Sequence, residues 1–170
     1  MKLQQTSVLP VHVQLEDLDV NGVVHHPNFL KYLERARYHS IKECGYSWEK
    51  LLSLNCTFVV SEIHASYLKP AFIDQQLFII SRVVGVGKTS IKIYQSIVIS
   101  FPTDVEIEAN AERLFYLPET IFYARIRLAC VDIKAGKLKS IPQEIQQLII
   151  PDPNLLTRYP QSRDTRLVIK

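Results

Sequence analysis

Between Asn28 and Gly45, apolar side chains recur at intervals of three and four. Phe29, Leu30, Leu33, Ala36, Ile41 and Cys44 fall on one side of a helix, while Lys31, Arg35, Lys42 and Glu43 fill the other. Asn28 is placed to cap the start and Gly45 to close the end. About 16 residues at 1.5 Å each make a rod on the order of 25 Å long, roughly the width of a small sheet. No second segment repeats this pattern, and the remaining chain is dominated by β-branched runs. A single long helix with one apolar stripe must bury that stripe, and here the surface on offer is a sheet. The expected class is therefore α+β, an antiparallel sheet with one face covered by the helix.

The strands follow from alternation. Residues 8–15 place Val11, Val13 and Leu15 on one face, and Pro10 confines that strand to an edge. Ser47 is set to cap a short helix over 47–52. Residues 56–68 read as a strand with Phe58, Val60, Glu62, His64 and Ser66 opposed to Val59, Ser61, Ile63, Ala65 and Tyr67. Residues 76–84 and 89–101 form a hairpin through Gly85-Val86-Gly87-Lys88, with Ile91, Ile93, Ile97 and Ile99 facing one way. Residues 102–118 either extend that hairpin or form a helical turn. The last clear strand is 122–132, with Phe122, Ala124, Ile126, Leu128 and Cys130 on one face. A short helix over 142–150 ends a single domain, 1–150, and 151–170 is a tail with three prolines.

Composition narrows the function. At 170 residues and 47% hydrophobic, the chain suits one domain with a real core. A net charge of +3 and pI ≈ 8.7 suit a phosphate-bearing small molecule and are too weak to argue for nucleic acid. Cys44, Cys56 and Cys130 are odd in number and widely spaced, which argues against a disulfide framework or a metal site and for a reducing, cytoplasmic setting. The first residues hold no apolar signal core, and no run reaches the roughly 18 apolar residues of a membrane span. The run Gly85-Val86-Gly87-Lys88-Thr89 mimics the end of a phosphate-binding loop. Arg82 stands where that motif needs its first glycine, so a hairpin turn is the better reading.

The chemistry concentrates just ahead of the long helix. Asp19, Gly22, Val23, Val24, His26, Asn28 and Phe29 fit the pattern Asp-x-x-Gly-(Ile/Val)-Val-x-(His/Tyr)-x-Asn-(Tyr/Phe), and the helix continues Leu33-Glu34-Arg35-Ala36-Arg37. This stretch resembles the motif of hot-dog-fold acyl-CoA thioesterases of the 4-hydroxybenzoyl-CoA thioesterase family. The resemblance continues more weakly through Tyr67, Pro70, Asp74 and 129–132. It implies a hot-dog fold, one long central helix wrapped by a five- or six-stranded antiparallel sheet. It also implies a homodimer or homotetramer with sheets joined edge to edge and the thioester between protomers. The substrate would be acyl-CoA or acyl-carrier protein, with no metal or redox cofactor.

By that resemblance Asp19 acts as nucleophile or general base on the thioester, roles a carboxylate can fill; the alternative reading is that it caps the turn. Asp17 is its near rival. His26 lies where its backbone N–H, at the positive end of the helix, can serve an oxyanion, and Asn28 and Gly22 shape that corner. His25 and Glu34 are secondary candidates. If a histidine and Glu34 converged across the substrate, a dehydratase or hydratase of 3-hydroxyacyl thioesters would be the second reading; a non-catalytic binding module is the third. Lys88 and Lys139 are implied contacts for the phosphates of coenzyme A. Leu18 and Asn21 stand where the motif usually has small residues, which bears on substrate range more than on fold.

Overall fold

The computed structural model describes residues 6–100 and 119–149. In chain order these form β1 (Thr6–His12), a 3-10 turn (Leu15–Asp17), α1 (His26–Glu43), α2 (Trp48–Ser53), β2 (Thr57–Tyr67), β3 (Gln76–Val86), β4 (Ser90–Val98), β5 (Thr120–Val131) and α3 (Gln143–Leu148). The strands make one antiparallel sheet in the order β1-β3-β4-β5-β2. Helix α1 lies on one face, giving the expected hot-dog arrangement. Strands β1 and β2 are the two edges, and Pro10, which has no N–H to donate, sits on β1. The expectations for 102–118 and for the tail 151–170 lie outside the described residues.

The core is the interface between helix and sheet. Phe29, Tyr32, Leu33 and Ala36 of α1 are buried with Leu77, Ile79, Ile91, Ile97, Phe122 and Ile126. Each large apolar side chain fully removed from water contributes about 1.5–3 kcal/mol, so this layer is the main source of stability. A smaller cluster of Ile80 and Val98, with Val8 and Phe78 against it, forms separately from this core. Helix α1 closes at Gly45 (φ +80), where the Gly45 and Tyr46 N–H groups bond the Lys42 and Ile41 carbonyls at 2.9 and 3.2 Å. The Ser47 hydroxyl accepts from the Lys50 N–H at 3.2 Å and caps α2, as the sequence suggested.

Four details differ from expectation. Helix α1 begins at His26, so Asn28 is not its cap: Pro27, with fixed φ and no N–H, suits the first turn and draws the start forward. Leu15 is exposed rather than in the core, because the chain leaves the sheet at His12 and turns. In β2 one extra residue separates the pairs Val60↔Leu128 and Glu62↔Arg127. This bulge reverses the alternation, so that Phe58 packs on the core before it and Ile63 and Ala65 do so after it. Ile99 lies past the end of β4 and is exposed, while Gln95 shares the inner face with Ile93 and Ile97. Gln95 is fully buried yet satisfied: it accepts from Arg37 Nη1 (2.8 Å) and donates to the Leu33 carbonyl (3.0 Å) and Ser81 Oγ (2.7 Å).

All three cysteines are free, but Cys56 and Cys130, distant in sequence, are brought together with sulfurs 3.3 Å apart. Burial, and then Cys56 beside it, push the Cys130 thiol up to about 12, which makes it a poor nucleophile.

Candidate active site

The loop that leads into α1 is built on two aspartates with different duties. Asp17 is buried, and its carboxylate accepts from the Gln14 N–H at 2.9 Å. Its carbonyl accepts from the His25 N–H (2.8 Å) and from Asn28 Nδ2 (2.9 Å). Asn28 therefore ties the first turn of α1 to the loop. Burial, with the Asp17 carboxylate nearby, raises the Tyr32 phenol well above its usual range. Asp17 is thus committed to holding the loop.

Asp19 is on the next turn and reaches solvent. Its N–H donates to the Val23 carbonyl (2.9 Å), and its carbonyl accepts from the Gly22 N–H (3.1 Å), closing a tight turn with Gly22 at φ +76. Its Oδ1 accepts from the Asn21 N–H at 2.7 Å; Oδ2 has only a long 3.5 Å contact with Asn21 Nδ2. The Asn21 N–H is the main reason the Asp19 carboxyl titrates below its ordinary value, partial desolvation opposes it, and His25 adds to the lowering. The turn-capping role is therefore real, but it occupies one carboxylate oxygen and leaves the other nearly uncommitted.

His26 opens α1 with its side chain exposed. Pro27 has no N–H and the Asn28 N–H is taken by the His25 carbonyl (2.8 Å), whereas the His26 N–H has no acceptor among the described residues. A free donor at the positive end of an 18-residue helix suits a developing negative charge. The Tyr67 hydroxyl donates to the His26 carbonyl at 3.1 Å and fixes that peptide. Behind it stand stacked and edge-on rings: His25 and His26 are 4.8 Å apart, Phe29 and Phe122 5.3 Å, and Tyr67 and Phe122 4.9 Å. Phe122 entered the sequence reading only as a core residue. Tyr67 entered through the resemblance and as a strand residue on the face of Ile63 and Ala65, without its bond to His26, which depends on how β2 meets α1.

The other candidates lie apart. Glu34 is exposed, and eight residues from His26 at 1.5 Å each place it about 12 Å along the axis, so within one chain the two do not converge. Lys88 is exposed at the β3–β4 turn. Lys139 donates its ammonium to the Leu54 and Asn55 carbonyls (2.8 and 3.1 Å), closing the end of α2. Both lysines sit at the Cys130 end of β5: the Lys139 N–H bonds the Cys130 carbonyl, and the Ile141 N–H bonds that of Lys88. Tyr67 and His26 are at the Phe122 end. Eight residues of strand separate these ends, about 27 Å. Among the described residues, no three His, Cys, Asp or Glu side chains form a metal-binding set. No described helix is long and apolar enough to cross a membrane.

Comparison with known proteins gives the chain its family and its fold. Acyl-CoA thioester hydrolase YbgC of Escherichia coli O6:H1 is 29% identical over 136 residues, covering 80% of this chain and 90% of that protein. Acyl-CoA thioesterase YbgC of Haemophilus influenzae is 28% identical over 138 residues, covering 81% and 89%. The crystal structure of a probable thioesterase from Bartonella henselae superposes with a TM-score of 0.67 at 22% identity, covering 81% of this chain and 99% of that one, which shows the shared fold. The family model described as the thioesterase-like superfamily matches residues 13–149, and the chain belongs to that superfamily.

Proposed function

We propose that this protein is a thioester hydrolase that cleaves acyl-CoA to a free acid and coenzyme A, with Asp19 and the start of α1 as its reactive centre. One observation carries the reading: a carboxylate with one oxygen held only by a long contact lies on the loop entering α1, whose first N–H has no acceptor among the described residues, in a chain of the thioesterase-like superfamily. Asp19, ionised at neutral pH, either attacks the thioester carbon or draws a proton from the attacking water. The carbonyl oxygen becomes an oxyanion facing the His26 N–H. The C–S bond then breaks, the thiolate takes a proton, and water supplies the new oxygen of the acid. Water is the only co-substrate the scheme needs. A carboxyl held below its ordinary value is a weaker base but is always charged, which suits attack or water orientation equally.

Two further elements belong to this reading. About 27 Å separates the Asp19 end from the Lys88 and Lys139 end, and this supports a reading in which Lys88 meets the thiol's phosphates from a second protomer, the Lys139 ammonium being engaged by Leu54 and Asn55. Strand β2, an edge with exposed Val59 and Val60, is the natural seam for a dimer. The free thiols, including the close pair Cys56 and Cys130, fit a reducing cytoplasm. The separation of Glu34 from His26 weighs against the dehydratase alternative.

The test is thiol release from a panel of aliphatic and aromatic acyl-CoAs and acyl-carrier proteins, comparing wild type with Asp19→Asn. The amide keeps the shape and removes the charge, so the rate is expected to fall about a hundredfold or more. An unchanged rate in Asp19→Asn overturns the assignment of the residue. No release from any thioester overturns the hydrolase reading.

A further inference from the structure

The opposite end of α1 holds a second chemical opportunity. A cavity of about 80 Å³ lies between the C-terminal half of α1, helix α3 and the sheet, with Ile41, Phe58, Ile91, Ile145 and Ile149 in its wall. Arg37 lines it too, and the guanidinium is half-buried. Among the described residues its one hydrogen bond runs from Nη1 to Gln95 at 2.8 Å, although a guanidinium has five N–H groups to donate. No carboxylate of the described residues lies within 4.0 Å of it. Glu34, one turn earlier, is exposed and only helps to keep Arg37 charged, while Glu43 is engaged by Ser7 (3.1 Å) and His39 (3.3 Å). The other polar groups here have partners: Ser40 donates to the Ala36 carbonyl and Cys44 to that of Ser40. Arg82, which has interactions of its own, adds a second positive charge to the wall.

A cation in an apolar wall that no carboxylate of the described residues contacts suits a ligand that carries both an anion and a hydrocarbon. We propose that this cavity binds a short free carboxylic acid, its carboxylate paired with Arg37 and its chain against Ile41, Phe58 and Ile145. At about 10–15 Å³ of such space per water-sized group, the cavity takes roughly five to eight non-hydrogen atoms, the size of butanoate to hexanoate. The site is distinct from the Asp19 centre, since eleven residues of helix set Arg37 about 16 Å along the axis from His26. The binding stands without the thioesterase reading. If that reading holds as well, the ligand is of the chemical class that the reaction releases.

Titration calorimetry of the full chain with hexanoate, and with hexanol as its uncharged counterpart, tests the proposal. Wild type and Asp19→Asn are expected to bind hexanoate alike and hexanol far more weakly. Arg37→Met removes the charge while keeping the packing, and is expected to weaken hexanoate binding by about tenfold or more. Ile145→Trp fills the cavity without touching Arg37 and should abolish binding, so the proposal stays testable if Arg37→Met does not fold. Four results each overturn it: no hexanoate binding by wild type, equal binding by Arg37→Met, equal affinity for hexanol, or binding that Asp19→Asn loses and Ile145→Trp keeps.

Discussion

Two aspartate turns in this molecule look alike locally and differ in one contact. Asp19 precedes Gly22 (φ +76), and Asp132 precedes Gly136 (φ +63); each carboxylate caps its own turn, and each is held below its ordinary value mainly by a backbone N–H, from Asn21 and from Ala135. Asp132 uses both oxygens, with Oδ1 accepting from the Lys134 and Ala135 N–H groups (2.9 and 2.7 Å) and Oδ2 from Asn55 Nδ2 (2.6 Å). Asp19 uses one, and its Oδ2 is left with a 3.5 Å contact. The Asp132 carboxylate staples a turn to the end of α2, whereas that of Asp19 staples only its own turn, on the loop that leads into α1. The proposed mechanism separates the two by what each leaves uncommitted, since neither residue type nor the direction of titration does so.

The glycines break this comparison most directly. A Cβ on Gly22 or Gly136 meets nothing within 4 Å, so each alanine variant suffers only the backbone conformation. Both Gly22→Ala and Gly136→Ala should lose about 1–2 kcal/mol in urea unfolding. Only Gly22→Ala should also lose rate, on the order of tenfold to a hundredfold, because it moves Asp19. Equal rate losses would mean that the two turns serve one purpose. A smaller effect comes from Tyr67→Phe, which deletes the hydrogen bond to the His26 carbonyl. At about 0.5–1.5 kcal/mol for such a bond, kcat should fall roughly two- to tenfold, with the melting temperature lowered by only about 1–6 °C. A variant that melts earlier at full rate would make Tyr67 a packing residue.

Much of this was legible in the chain and some was not. The stripe from Phe29 to Ala36, the stop at Gly45 and the Ser47 cap are local facts, so spacing sufficed. Four of the five strands were visible because they alternate over several residues, and the fifth, 76–84, as an apolar run ending in the turn at 85–88. The bulge at Ser61 was not, since one extra residue in a strand is defined by its partner β5 rather than by its own sequence. Gln95 escaped for the same reason: only the fold puts Leu33, Arg37 and Ser81 around it. Asn28 has the chemistry of a cap, and only the position of the Asp17 carbonyl shows that it works from inside the first turn. Asp19 was found through its motif, but that one of its oxygens is spare is a property of the folded loop. Lys139 entered as an implied contact for the phosphates of coenzyme A; that its ammonium closes α2 is a contact across more than eighty residues of sequence that no local pattern contains.

The finest discrimination between the two aspartates is by pH. Both folded values lie below the ordinary 3.8, so each carboxylate contributes stability that is present above that value and is lost as pH falls through the folded one. The stability of the fold should therefore decline in acid on account of both. On the proposed mechanism activity follows the charge of Asp19 and is indifferent to that of Asp132. The acid limb of kcat/KM, which reports the free enzyme, should thus lie below 3.8 and stay in place in Asp132→Asn, even as that variant unfolds at a higher pH than wild type. Measuring initial rates in pH jumps shorter than the unfolding time separates the two limbs. An acid limb near neutrality would show that a different group titrates in the reaction, with His25 and His26 the first to replace. A limb that moves in Asp132→Asn would erase the distinction between the two turns.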